Sequence, residues 1–210
     1  MRLYTFFRSS AAYRTRIALN LKGLSYDMTS IVFAKGDHLS PGYQAVNPQK
    51  RVPTLELDDG LRLHQSLAII EYLDEIHPQP PFLPRDPVER AKARAIAQVV
   101  ACDIHPLNNV GPLNYLRQQM GQGEEAVNAW YHHWVLEGFH AIEALIDPAP
   151  YAAGPAVTVA DICLIPQIAN ARRFKVPLEA FPKILAVEAA CNALEPFERA
   201  KPENQPDATG

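Results

Sequence analysis

The rhythm of apolar and polar positions changes once along this chain, at a proline cluster, and reads differently on either side of it. Before the cluster, short and long periods alternate. Residues 3–7 form a short apolar run, the pattern of a strand. From Ser10 onward, Tyr13, Ile17, Ala18 and Leu21 fall at spacings of three and four, which marks one face of a helix. Gly23 suits the residue after its last turn. Residues 26–33 read as a second strand. In residues 53–57, Leu55 and Leu57 alternate with Thr54 and Glu56, and Asp58-Asp59-Gly60 offers a hairpin turn into a strand at 61–63. A helix is predicted from about Ser66, with Leu67, Ile70, Leu73 and Ile76 inward. The order is β-α-β followed by β-β-α, that of a thioredoxin-like domain.

The cluster itself, residues 77–87, carries five prolines and removes backbone donors wherever they stand. It separates a predicted domain at 1–80 from one at 86–210. The second reads as helical throughout. One long helix is predicted over 87–120, bent near Pro106, and another over 124–145. Thr158 and Asp161 have the spacing of a capping box, with Asp in the usual place of Glu or Gln. The last helix starts near Phe181. The tail after Ala200 is polar and proline-bearing, the composition of a frayed end.

Composition narrows the class. The chain has 210 residues, 48% hydrophobic and 20% charged, enough for a sizeable core. A formal net charge of −3 gives no broad nucleic-acid footprint. No apolar run approaches the roughly 18 residues of a membrane helix, and the N-terminus lacks the apolar core of a secretion signal. Cys102, Cys163 and Cys191 are far apart, which points to reduced thiols in a cytoplasmic protein rather than a disulfide or zinc framework. The seven histidines contain no HxxxH pair, so no metal site is predicted.

Candidate chemistry gathers at two helix starts. Arg8-Ser9-Ser10 stands where a strand hands over to a helix. Serine there is a favoured cap. The same position stabilises an anion, and a thiolate is one. Gln65-Ser66 opens the second helix of the domain, with the same two readings. Pro53 at a strand start cannot donate, which leaves the edge open to another backbone. His105 lies beside Pro106 and Asn108-Asn109, where a bend would expose side chains. Arg172-Arg173 reads locally as a solvated pair.

These segments together resemble the zeta class of glutathione transferases, the maleylacetoacetate and maleylpyruvate isomerase family. The resemblance rests on SSAAYRTRIAL, LNLKG, NPQKRVPTL, LHQSLAIIEYLDE, FLPRDP, DIHPLNN, VTVADICLIPQIANARRFKV and QPD, and spans nearly the whole chain in order. It implies the glutathione transferase fold, a thioredoxin-like α/β domain followed by an all-helical domain, and a homodimer with glutathione as cofactor. Ser9 and Ser10 match the hydroxyl pair that faces the glutathione sulfur. Val52 matches the residue pairing with the cysteinyl unit, ahead of a cis Pro53. Gln65 and Ser66 match the pair that holds the γ-glutamyl carboxylate, and His38 a contact for the glycyl end. His105 and Asn109 are expected as wall residues that meet the cofactor, His105 meeting the substrate as well, and Arg173 matches the arginine that binds a dicarboxylate substrate, with Arg8, beside the sulfur, as its second anchor and a catalytic residue. The motif cysteine of the family is Ala11 here and its tryptophan is Tyr13, so the sulfur must come from glutathione.

The implied reaction is cis–trans isomerisation. Val110-Gly111 stand where some maleylpyruvate isomerases carry an arginine pair, which tilts the substrate toward maleylacetoacetate, whereas His105 resembles the maleylpyruvate type. The alternatives are a broader glutathione transferase or haloacid dehalogenase, and a non-enzymatic interaction protein on the same fold.

Overall fold

The computed structural model describes residues 1–208. They divide into two compact units, residues 1–82 together with the chain from 192 onward, and residues 83–191. The closing segment therefore groups with the first unit and not with the helices that precede it.

The first unit holds a four-stranded mixed sheet in the order β2-β1-β3-β4. Its strands are β1 (Arg2–Thr5), β2 (Asp27–Ser30), β3 (Thr54–Glu56) and β4 (Arg62–His64). β1 runs parallel to β2 and antiparallel to β3, and β3 and β4 form a hairpin. All four strands are shorter than, or shifted from, the apolar runs that predict them. Phe6 and Phe7 leave β1 because the Phe6 carbonyl accepts the Ser9 N–H at 2.9 Å, which closes a turn instead of a ladder. Helix α1 (Ser10–Leu21) is buried from Ala12 to Asn20, all round rather than on one face, because both α3 (Ser66–Ile76) and α10 (Glu195–Ala200) pack against it. It ends with Gly23 at φ +65, the Gly23 N–H on the Asn20 carbonyl and the Leu24 N–H on the Leu19 carbonyl. That is the left-handed C-terminal closure that glycine permits. A short helix the apolar pattern does not predict, α2 (Pro41–Val46), starts at Ser40, whose hydroxyl accepts from the Tyr43 N–H. The inner face of α3 is Ser66, Ile69, Ile70 and Leu73; Ile76, expected inward, is exposed.

The tail departs most from expectation. Pro202–Asn204 form a single 3₁₀ turn, and the buried Gln205 donates to the Arg199 and Lys201 carbonyls at 2.8 Å. The side chain of Asp207 reaches the turn after β1. Polar composition misleads here because the polar groups bond to backbone of their own unit, not to water.

The second unit is helical. The long helix predicted over 87–120 is instead α4 (Pro87–Gln98), a π-helical turn at Val99–Ile104, α5 (His105–Asn108) and α6 (Val110–Gln118). The His105 N–H bonds to the Val100 carbonyl, five residues back, ahead of the Pro106 that has no N–H to give. Asn109 is extended and caps α6 through its own side chain. Helix α7 (Glu124–Leu145) passes the π turn so closely that a Cβ at Gly138 would overlap the Ile104 side chain. Helix α8 (Val159–Arg173) is buried along its length to Ile168 and packs on α4, and α9 (Pro182–Asn192) follows. Among the described residues no helix is long and apolar enough to cross a membrane.

Candidate active site

In the first unit, packing draws the sequence-predicted residues together around the N-termini of α1 and α3. Ser9 is the N-cap of α1, its Oγ accepting from the Ala12 N–H at 3.2 Å. A hydroxyl that accepts there keeps its own proton to donate. Ser10, at the first helical position, is buried, and Arg8 is exposed with its guanidinium 4.9 Å from the Phe7 ring centre. One turn along α1, the buried Arg14 donates from Nη1 to Ser66 Oγ at 3.4 Å. One arginine thus joins the starts of both helices and adds positive charge to the positive ends of both dipoles.

Gln65, at the N-cap of α3, has φ +69, a left-handed conformation that a side chain disfavours. Its side chain makes no cap bond, and its Nε2 donates instead to Gln49 Oε1 at 2.9 Å. The first amides of α3 are therefore left without a side-chain acceptor from their own cap.

Val52 precedes Pro53 through a cis peptide bond and lies outside the ladder pairs, which begin at Thr54. The Arg51 carbonyl just before it accepts from Tyr43 Oη at 2.6 Å and from Asn47 Nδ2 at 2.8 Å. The fully buried Asn47 also donates to Thr54 Oγ1, so this loop is fixed on both sides of the cis bond. Ala12 of α1 and Val52 share one apolar cluster with Phe6 and Phe33. His38 stacks on Phe33, ring centres 4.3 Å apart, and Phe33 lies 5.6 Å from Phe6.

The remaining candidates lie in the second unit. Asn109 Nδ2 is 3.4 Å from His105 Nε2, while Asn109 Oδ1 holds the Val110 N–H. The neighbouring Asn108 donates to the Tyr131 carbonyl at 3.4 Å, Tyr131 stacks on Phe174 at 3.9 Å, and the Arg173 guanidinium stands 5.0 Å from the same Phe174 ring. Burial pushes the Tyr131 hydroxyl well above its ordinary pKa, and the Arg173 charge opposes that rise. The local reading of Arg172-Arg173 as one solvated pair separates here. Arg172 is bound through both nitrogens of its fork to Glu188, at 2.9 and 2.5 Å, whereas Arg173 stands exposed beside an aromatic stack.

Sequence reasoning missed Arg14, Asn47, Arg16 and Asp207. All four lie within the quoted motifs, SSAAYRTRIAL, NPQKRVPTL and QPD, which carried the family resemblance without showing what these side chains hold.

The first unit's sequence matches the family of the glutathione S-transferase N-terminal domain over residues 8–76. The maleylacetoacetate isomerase of Pseudomonas aeruginosa is 48% identical over 99% of this chain and 98% of its own. The chain belongs to the zeta-class glutathione transferases, the maleylacetoacetate and maleylpyruvate isomerase family. Among solved structures of this family, the holo form of a bacterial zeta-class maleylpyruvate isomerase superposes with a TM-score of 0.96 at 47% identity, each chain covered in full. A maleylacetoacetate isomerase from Methylobacterium extorquens, with malonate and glutathione bound, also reaches 0.96, at 36% identity over the whole of both chains. The zeta-class fold, a thioredoxin-like unit and a helical unit, is the architecture described above.

Proposed function

We propose that this chain is a glutathione-dependent cis–trans isomerase acting on a maleyl keto acid, with maleylacetoacetate the substrate and maleylpyruvate the alternative. The observation that carries the reading is the end-to-end likeness to enzymes of both names at 47–48% identity, joined to a first unit whose two helix starts meet at Arg14. The residues fit glutathione. The amides of α3 lack an acceptor from their own cap and face no acidic residue in the first turn, which suits a carboxylate. The segment at Val52 lies outside the ladder pairs, ahead of a proline, which suits pairing with a peptide backbone.

When bound, glutathione would supply a thiolate for reversible addition to the conjugated cis double bond, the π pair resting on the substrate's carbonyl oxygen while the carbon–carbon bond is single and returning as the thiolate leaves and the trans alkene forms. The chain's own residues do the rest. Ser9 and Ser10 donate hydroxyl hydrogen bonds to the sulfur anion, and the N-terminus of α1 adds its dipole. A free thiol with a pKa of about 8.5 is only a few per cent ionised at neutral pH, so a shift of one or two units suffices, on the order of 1.4–3 kcal/mol. Gln65, Ser66, Val52, Pro53 and His38 hold the tripeptide. Arg8 and Arg173 take the substrate's carboxylates, for which a planar, permanently charged fork is suited. His105 and Asn109 add contacts to the cofactor, and His105 to the substrate as well. With Ala11 in place of the motif cysteine, the chain offers no competing thiol at this helix start.

The assembly we propose is a homodimer, and the location intracellular, where reduced glutathione is abundant; sedimentation analysis tests the first. The activity is tested by mixing purified protein with maleylacetoacetate and with maleylpyruvate, with and without glutathione, while following the cis-enol absorbance. Glutathione-dependent loss with either compound is expected, faster with maleylacetoacetate. No such loss with either would sink the reading.

A further inference from the structure

The turn that delivers Arg8, Ser9 and Ser10 is held from outside its own segment. Its first bond is local, Ser9 N–H to the Phe6 carbonyl at 2.9 Å. Both backbone groups of Phe7, within the turn, go to distant side chains. The Phe7 N–H donates to Asp207 Oδ2 at 3.0 Å, across 200 residues of sequence. The Phe7 carbonyl accepts from Arg16 Nη2 at 3.1 Å.

Each holding group is itself anchored. Asp207 Oδ2 also accepts from Ser30 Oγ at 2.8 Å, at the end of β2. Arg16 is fully buried and also donates from Nη1 to Thr5 Oγ1 at 3.1 Å and from Nε to the Ala200 carbonyl at 3.0 Å. Burial pushes its pKa down to about 10, against the attraction of Tyr26 and Asp207, so it stays charged at neutral pH. The Ala200 carbonyl closes the last helix before the tail, and Gln205 fixes the tail to the backbone of 199 and 201. The polar tail is thereby part of the support of the turn.

We propose that Asp207 is a positioning residue for the sulfur site: with Arg16 it clamps Phe7, and so fixes the direction in which Ser9 and Ser10 present their hydroxyls. Hydrogen bonding to an anion depends steeply on angle. A two-residue turn held only by its own closing bond is free to rock, and one held through both groups of its central residue is not. Asp207 need not touch the sulfur to set its ionisation. The proposal rests on the glutathione reading for its consequence, but not for the clamp itself.

The test uses the full chain as Asp207→Ala and Asp207→Asn. Asparagine keeps an oxygen able to accept from Phe7, and alanine does not. In ligand-free protein, amide exchange at 7–10 is expected to quicken about tenfold in Asp207→Ala and to return most of the way to the wild-type rate in Asp207→Asn, whose neutral oxygen accepts more weakly than a carboxylate. With glutathione added, the thiolate absorbance near 240 nm is titrated against pH. The bound thiol's pKa should rise by about half a unit to one unit in the alanine variant, with asparagine rescuing most of it. Unchanged exchange at 7–10, or quickening spread evenly over the first unit, overturns the clamp. Faster exchange with an unmoved thiol titration overturns its role at the sulfur. Wild-type protein that shows no thiolate signal removes the glutathione reading, and exchange still decides the clamp.

Discussion

Ser9 Oγ accepts the Ala12 N–H at 3.2 Å, so the serine assigned to the glutathione sulfur is also the cap of the helix behind it. The two roles coexist because one uses the oxygen's lone pair and the other its proton. They predict a paired loss. Ser9→Ala should cost about 1 kcal/mol of stability, the usual worth of a serine cap, and raise the bound thiol's pKa by about one unit. Denaturant unfolding and thiolate titration read the two separately. Ser10→Ala should move the titration while leaving the Ala12 hydrogen bond in place.

Arg172 and Arg173 are neighbours with different employment. Arg173→Ala should lower kcat/KM for a dianionic substrate roughly ten- to a hundredfold, the worth of a charged hydrogen-bonded pair, and spare conjugation of a neutral electrophile. Arg172→Ala removes an exposed pair with Glu188 and should cost under about 1 kcal/mol without changing either rate. Steady-state kinetics on both substrates checks this. Equal loss of the two activities in Arg173→Ala would indicate a general defect instead of a lost anchor.

Asp161 does more than cap. Its carboxylate accepts from the Ala152 and Thr158 N–H groups at 2.8 Å and from Thr158 Oγ1 at 3.1 Å, in full burial. Asp161→Ala strands those donors, and should cost roughly 3 kcal/mol or more where a cap alone costs about 1. Thermal unfolding measures it. A loss no larger than that of an ordinary cap would mean that the Ala152 loop finds other partners.

His64 supplies a pH dependence. Burial, then the Arg62 charge, hold its pKa below the ordinary 6.5, and its Nδ1 lies 3.3 Å from Thr54 Oγ1. The unfolded chain takes up the proton first as pH falls. The stability this group contributes is therefore complete above 6.5 and is lost as pH drops through 6.5 to the lower folded value. Wild type should lose more melting temperature between pH 7.5 and 5 than His64→Gln does. Parallel curves for the two proteins would remove His64 as the cause.

What was legible in the sequence follows from which interactions are local. Helix α7 emerges at the predicted bounds, 124–145, because its periodicity is long and uninterrupted. The Thr158–Asp161 box reads directly, because both partners lie within one turn. The site pairs Ser9-Ser10 and Gln65-Ser66 read as helix starts and no further, since a cap and an anion site share one local signature. The long helix over 87–120 is divided by the π turn ahead of Pro106 and by the cap at Asn109, and the close passage of Gly138 by Ile104 brings in α7, which lies outside any window of that run.

By itself the sequence determined the order of the four strands with the helices α1 and α3, the serine pair, the absence of a cysteine beside it, and the family motifs. Each is a matter of residue type and near spacing. Tertiary structure decided which arginines are buried or paired and which stay exposed. Arg14 binds Ser66, Arg16 braces Phe7 and Ala200, and Arg172 pairs with Glu188, while Arg8 and Arg173 stay exposed. It also decided that a polar tail holds the turn bearing Ser9. The physical reason is the same throughout: an arginine or an aspartate has one chemistry, and its use depends on partners brought within hydrogen-bond distance from elsewhere in the chain.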